Sequence, residues 1–219
     1  MPTYLGLDGF RFGWVAAWID DRGDHGFDYS PGLTRLLELP HARAMIDMPI
    51  GLPFEGYRVC DREARKIIGP SVFLGARRDV WAFTNMASAN AKYREEGQPG
   101  ISCQLWNIKD KFKEVDDFIS PERQETVREA HPELIFWRLS DREKLPHKKS
   151  PEGRERRIAI LERHGFGQLR RWLNLLTRTG IGRDDLIDAC ACAIAARDST
   201  QRVGGAEIDP RGLRMGINY

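Results

Sequence analysis

The sequence has little of what a thiolate-metal, disulfide-bonded or membrane-spanning protein needs. It has 4 Cys and 5 His in 219 residues. No two cysteines are spaced C-x-x-C, which argues against a zinc ribbon or a thioredoxin-type site. Cys190 and Cys192 fall in an Ala-rich helical run, two residues apart and so on different sides of it. They are expected to be small buried hydrophobes in a reducing, cytoplasmic compartment. No apolar run approaches the ~20 residues of a membrane helix, so no membrane association is expected. The start, Met-Pro-Thr-Tyr-Leu-Gly-Leu-Asp, lacks the basic and apolar regions of a signal peptide. No repeat, heptad or low-complexity tract is present, which excludes collagen, coiled coil and wholesale disorder.

Net charge is nearly absent too: 34 Lys+Arg against 32 Asp+Glu leave +2, which neither demands nor excludes nucleic acid. The local distribution says more. From Arg138 to Arg171 there are 11 basic residues and 5 acidic ones, an excess of +6. Such a run is either a solvated helical face or a strip that meets phosphates.

The patterning is that of an α/β protein. Thr3–Asp8, Gly13–Asp20 and His25–Tyr29 read as an antiparallel meander. Pro31 then opens a short helix carrying Leu33, Leu36 and Leu37, and Arg43–Asp47 is the next strand, halted by Pro49, Gly51 and Pro53. Residues 54–120 lose strand alternation and read as a helical insertion within one domain spanning 1–219. A short strand is expected over Thr126–Ala130, and helices over 132–139, 151–164 and 168–176. Arg183–Arg197 is the strongest helix, Ala-rich with acids at its start and Arg197 at its end. Met215–Tyr219 reads as an edge strand. This order implies a mixed β-sheet of about five strands flanked by helices. The Asp47 strand should lie beside the Asp8 strand, and the last helix should cross the sheet so that Asp188 faces Asp8.

The carboxylates carry the functional signal. Asp8 and Asp47 each close a buried strand, where α/β sheets place their sites. Neighbouring strands lie ~4.8 Å apart, so the two acids can share an ion. Asp185 and Asp188 share a helix face at i,i+3, and Asp188 sits among alanines, where an unpaired carboxylate is costly. Glu129 lies at a further strand end, with His131 beside it as a proton shuttle, a phosphate contact or a surface residue. Hard oxygen ligands without clustered His or Cys favour Mg²⁺ or Mn²⁺. Acids on two strands and one helix suggest two-metal phosphodiester chemistry. Arg58, Arg62 and Arg65, at i, i+4 and i+7, would form one basic stripe, either surface-paired or facing phosphates.

Together, GLDGFRFGWVAAW (6–18), IDMPIGLP (46–53), RVCDREAR (58–65), QLWNIKDKFKEVD (104–116), EAHPELIFWRL (129–139), KKSPEGRERRIAIL (148–161), DDLIDACACAIAAR (184–197) and RGLRMGINY (211–219) resemble domain of unknown function family 429. That family is described as a predicted RNase H-like nuclease. The resemblance implies an RNase H-like fold with an Asp on the first strand, an acid on a later strand and an acid on the last helix. The D-x-x-D-A run at Asp185, Asp188 and Ala189 also resembles the last helix of Holliday-junction resolvases. Carried over, Asp8, Asp47, Asp185 and Asp188 are the metal acids, with Glu129 a fifth catalytic carboxylate. Arg11, Arg58, Arg62, Arg77, Arg78, His131 and Lys148 are the expected substrate contacts.

The expectation is therefore a nuclease, a metal-dependent hydrolase of structured DNA or RNA. Nucleic acid is its partner, and a homodimer is compatible with the chain. A non-catalytic nucleic-acid-binding module on the same fold stays open. So does an actin-like ATP-binding phosphotransferase, because Asp8-Gly9-Phe10-Arg11 resembles a phosphate-cradling turn. The chain is short for the two domains which that class uses.

Overall fold

The chain begins with a hairpin. β1 (Thr3–Phe10) and β2 (Gly13–Asp20) pair antiparallel, with Thr3 opposite Asp20 and Phe10 opposite Gly13. Arg11 and Phe12 form the turn between them. β3 (His25–Ser30) returns antiparallel to β2. After α1 (Leu33–Leu37), β4 (Arg43–Ile46) pairs parallel with β1 on its other side, Leu7 opposite Ile46. The computed structural model describes residues 2–199 and 201–219.

The next helices are α2 (Val59–Ile68), α3 (Met86–Glu95), α4 (Cys103–Asn107) and α5 (Lys109–Phe118). β5 (Val127–Glu129) then pairs parallel with β4, Ile46 opposite Glu129. α6 (Pro132–Leu139), α7 (Pro151–Arg163), α8 (Leu169–Leu175) and α9 (Arg183–Asp198) follow. β6 (Arg202–Ile208) and β7 (Arg214–Asn218) form a separate two-stranded sheet.

These elements divide into two compact units. The first comprises Met1–Met48, Thr126–Gln201 and Asn218–Tyr219; the second comprises Pro49–Glu125 and Arg202–Ile217. The first is a mixed five-stranded sheet of order β3-β2-β1-β4-β5, flanked by helices. α9 lies across β1, β2 and β4, and every residue from Leu186 to Ala196 is buried. Its Ala and Cys side chains are short, so the helix can come down onto the strand backbone. Gly6 completes that approach from the sheet side. A Cβ there would collide with the backbone of Ala189 and Ala193 and lie 2.6 Å from the Cys192 carbonyl carbon.

The second unit holds the helices of segment 54–120 together with the β6–β7 sheet. β6 carries no period-2 pattern and went unmarked in the sequence. Gly204 and Gly205 both adopt positive φ, 68° and 89°. A Cβ on Gly204 would collide with the Cys60 side chain, so glycine is required there for close approach. Asp209 gathers this unit's chain ends. It accepts the N–H groups of Leu52 (3.0 Å), Arg211 (2.8 Å) and Leu213 (2.9 Å), and it pairs with Arg78.

Among the described residues, no helix is long and apolar enough to cross a membrane.

Candidate metal centre

The centre lies in the first unit, where the end of β4 meets β1 and one helix; β1 was expected to stop at Asp8 but runs on to Phe10, because Gly9 and Phe10 stay paired with β2 in the hairpin. Pairing of Leu7 with Ile46 is the last of the β1–β4 ladder, and the Asp47 N–H donates to the Leu7 carbonyl at 2.9 Å. That bond sets Asp47 next to Asp8. The Gly6–α9 contact sets the register of the third acid. Asp188 precedes Ala189, the first residue against Gly6, so its carboxylate reaches the same two acids.

Asp8, Asp47 and Asp188 each offer an oxygen, and the three oxygens lie within 4.8 Å of one another. Asp8 and Asp188 are buried. This is a hard, all-oxygen donor set of formal charge −3. It fits a divalent ion that prefers oxygen, as Mg²⁺ and Mn²⁺ do. Such a cluster is costly to bury without a counter-charge.

Burial raises all three carboxyls. Asp8 is pushed well up by burial, then by the negative charges of Asp47, Asp188 and Asp185, against the pull of Lys148. Burial pushes Asp47 up to about 7 although Lys148 opposes it. Asp188 likewise rises to about 7, against the same ammonium. Cys192 lies under the cluster. Burial and then the charges of Asp47, Asp8 and Asp188 hold its thiol well up, so it acts as a neutral wall.

These shifts fix the sign of a pH dependence. Around pH 5–6 the metal-free native state holds protons on these acids that the unfolded chain has released. Stability therefore falls as pH rises through about 7, by ~1.4 kcal/mol per pH unit for each excess proton. The expected calorimetric result in EDTA is a melting temperature that declines between pH 5 and 8. Asp47→Asn should have a flatter profile than wild type, and equal slopes would contradict the shifts.

Lys148 is the cation of the centre. Its Nζ donates to Asp188 Oδ2 at 2.8 Å. Burial alone lowers the ammonium's pKa, but Asp188, Asp47 and Asp8 together raise it above the ordinary lysine value. Lys148 lies on the loop before α7, and that loop is pinned. Arg157, buried, donates through Nε and Nη2 to Glu133 at 3.2 and 2.7 Å, and through Nη1 to the Pro146 and Gly153 carbonyls at 2.9 Å. Ser150 caps α7 by accepting the Gly153 N–H at 3.0 Å and donates to the His147 carbonyl. A Cβ at Gly153 would collide with His147 and Pro146. Arg157 and Glu133 were missed as anchors of the centre, because each reads in sequence as an ordinary helical surface charge.

The other expected residues are placed differently. Asp185 lies outside the three-acid group. It accepts the Gly182 N–H at 2.8 Å and caps the start of α9. Glu129 is buried at the end of β5, with its carbonyl accepting from Asn218 Nδ2 at 2.8 Å. His131 caps α6, its Nδ1 accepting the Glu133 N–H at 3.2 Å. Arg11 sits on the β1–β2 turn, its guanidinium 5.0 Å from the Phe12 ring.

Arg58, Arg62, Arg77 and Arg78 belong to the second unit. The basic stripe does not form as expected. Arg58 is the N-cap of α2, outside the helical repeat, and turns inward to Cys60 Sγ at 3.0 Å and Asp61 at 3.3 Å. Arg62 is exposed on α2, while Arg65 donates to the Val72 carbonyl at 2.8 Å. Arg77 is fully buried over the Tyr93 ring at 3.6 Å. Arg78 bridges Asp116 and Asp209. Arg58 and Arg77 are both buried within the second unit.

Residues 6–207 match the family model described as Protein of unknown function (DUF429). The chain belongs to that family. No curated protein and no solved structure matches it.

Proposed function

We propose that this protein is a metal-dependent phosphodiesterase of the RNase H-like kind, acting on nucleic acid. The observation that carries the reading is the convergence of Asp8, Asp47 and Asp188 oxygens within 4.8 Å, from two adjacent strands and one helix. The order of these acids (first strand, later strand, last helix) is the order that the RNase H-like resemblance implies.

In this reading the three carboxylates hold Mg²⁺ or Mn²⁺. Such an ion supplies Lewis-acid polarisation of a phosphoryl oxygen and activation of water. Asp8 orients the site from within the central strand and Asp47 from the end of β4, and Asp188 closes it from α9. Lys148 supplies a positive charge for the phosphate, and the basic excess of segment 138–171 supplies sequence-independent attraction to the backbone. Asp185 accepts the Gly182 N–H through Oδ2 alone, so its other oxygen is the one that would serve as the fourth acid of a two-ion arrangement.

The test is a cleavage screen of single-stranded RNA, RNA–DNA hybrid, duplex DNA and a four-way junction in Mg²⁺ and in Mn²⁺. Cleavage of at least one substrate is expected, abolished by EDTA. Binding without cleavage in any metal would favour the non-catalytic module. Neither binding nor cleavage would sink the nucleic-acid reading.

A further inference from the structure

The acid cluster already contains a cation. The Lys148 ammonium donates to Asp188 at 2.8 Å, and its charge acts on Asp8 and Asp47 as well. The Lys148 side chain is 38% exposed while that of Asp188 is 4% exposed. The lysine therefore enters the cluster from its solvent side, where an ion would also arrive.

This position is built into the fold. The loop from Pro146 to Ser150 is fastened by a buried arginine, a capping serine and a glycine with no room for a side chain. An ammonium and a divalent ion seek the same oxygens, and like charges in one low-dielectric site oppose each other.

We propose that Lys148 is a resident cation that competes with the divalent ion for Asp188. Metal entry displaces the ammonium from Asp188. Lys148, still tethered by the Arg157-pinned loop, then serves as the contact for a phosphate of the ligand. The inference rests on the metal-site reading above. It adds that the lysine opposes metal binding and favours substrate binding, two effects of opposite sign from one residue.

The experiment is Mn²⁺ titration calorimetry on the full chain as wild type, Lys148→Met and Lys148→Arg. Binding of a short single-stranded oligonucleotide at saturating Mn²⁺ is then measured on each. Lys148→Met should bind Mn²⁺ about tenfold more tightly, the scale on which one neighbouring charge shifts a carboxylate's preference for a cation. The same variant should bind the oligonucleotide more weakly. Lys148→Arg should stay near wild type in both. If Lys148→Met does not fold, the Mn²⁺-induced rise in melting temperature of Lys148→Gln replaces it and should exceed that of wild type.

Equal or weaker Mn²⁺ binding by the neutral variants would overturn the competition while leaving the metal site standing. Tighter Mn²⁺ binding with unchanged oligonucleotide affinity would overturn the phosphate contact. Absence of Mn²⁺ binding in wild type and variants alike would overturn the metal-site reading and the competition with it.

Discussion

Asp8→Asn should remove the response of this protein to divalent metal while leaving its fold intact. Asp8 lies on the central strand of the sheet, beside Asp47 just after β4 and Asp188 on α9. Its carboxyl is raised by burial and then by Asp47, Asp188 and Asp185. An amide of the same shape relieves that repulsion and deletes one of three oxygen ligands. For wild type, metal at a hundred times its dissociation constant adds about 2.7 kcal/mol. In a chain of this size that amounts to a rise of roughly 5–10 °C in melting temperature. Asp8→Asn should show no such rise, should melt at or above wild type in EDTA, and should lose any metal-dependent cleavage. Thermal melts of both proteins with and without Mg²⁺ decide it. Equal metal responses would remove Asp8 from the site.

The second large effect is structural. Gly6→Ala should destabilise the protein by about 3 kcal/mol or more and weaken metal binding at the same time. Overpacking a core usually costs ~1–3 kcal/mol, when side chains can shift. Here the added methyl meets the main chain of α9 at Ala189, Cys192 and Ala193, which yields only if the whole helix moves. Moving α9 off β1 carries Asp188 away from Asp8. Urea unfolding and Mn²⁺ calorimetry on the same variant should therefore fall together. Asp8→Asn, in contrast, loses the metal alone. Wild-type stability in Gly6→Ala would mean that α9 does not rest on β1 as described.

Much of this architecture was legible because the informative residues obey local rules. The strand at Gly13–Asp20 and the helix at Pro132–Leu139 have the boundaries their patterns suggest. The meander follows from alternating strand patterns, and the meeting of Asp8, Asp47 and Asp188 from acids in or just after apolar strands and on an Ala-rich helix, although β1 runs on to Phe10 instead of stopping at Asp8. The remainder depended on contacts between residues distant in sequence. β6 was hidden because its glycines serve close approach and left no alternating face. Arg58 lies at the spacing of a stripe, but it stands at the N-cap position in extended backbone and so leaves the 3.6-residue period. Asp185 has the i,i+3 relation to Asp188 that a shared site would require, and the structure adds that one of its oxygens caps the helix at the Gly182 N–H. No pattern around Lys148 names Asp188 as its partner, because the link runs through Arg157 and a loop.

The packing of α9 on Gly6 also sets a timetable for synthesis. The strand bearing Asp8 leaves the ribosome well before the helix that covers it. Until residues 183–198 emerge, Phe10 of β1 and Val15, Ala17 and Ile19 of β2, which share the Gly6 face of the sheet, lack part of their apolar cover. The centre also lacks its third carboxylate. Such long-range closure is slow compared with local pairing, and incomplete sheets are prone to aggregate. A nascent chain stalled before Arg183 would therefore be a client for chaperones and would be unable to assemble the three-acid cluster, however well its hairpin had formed.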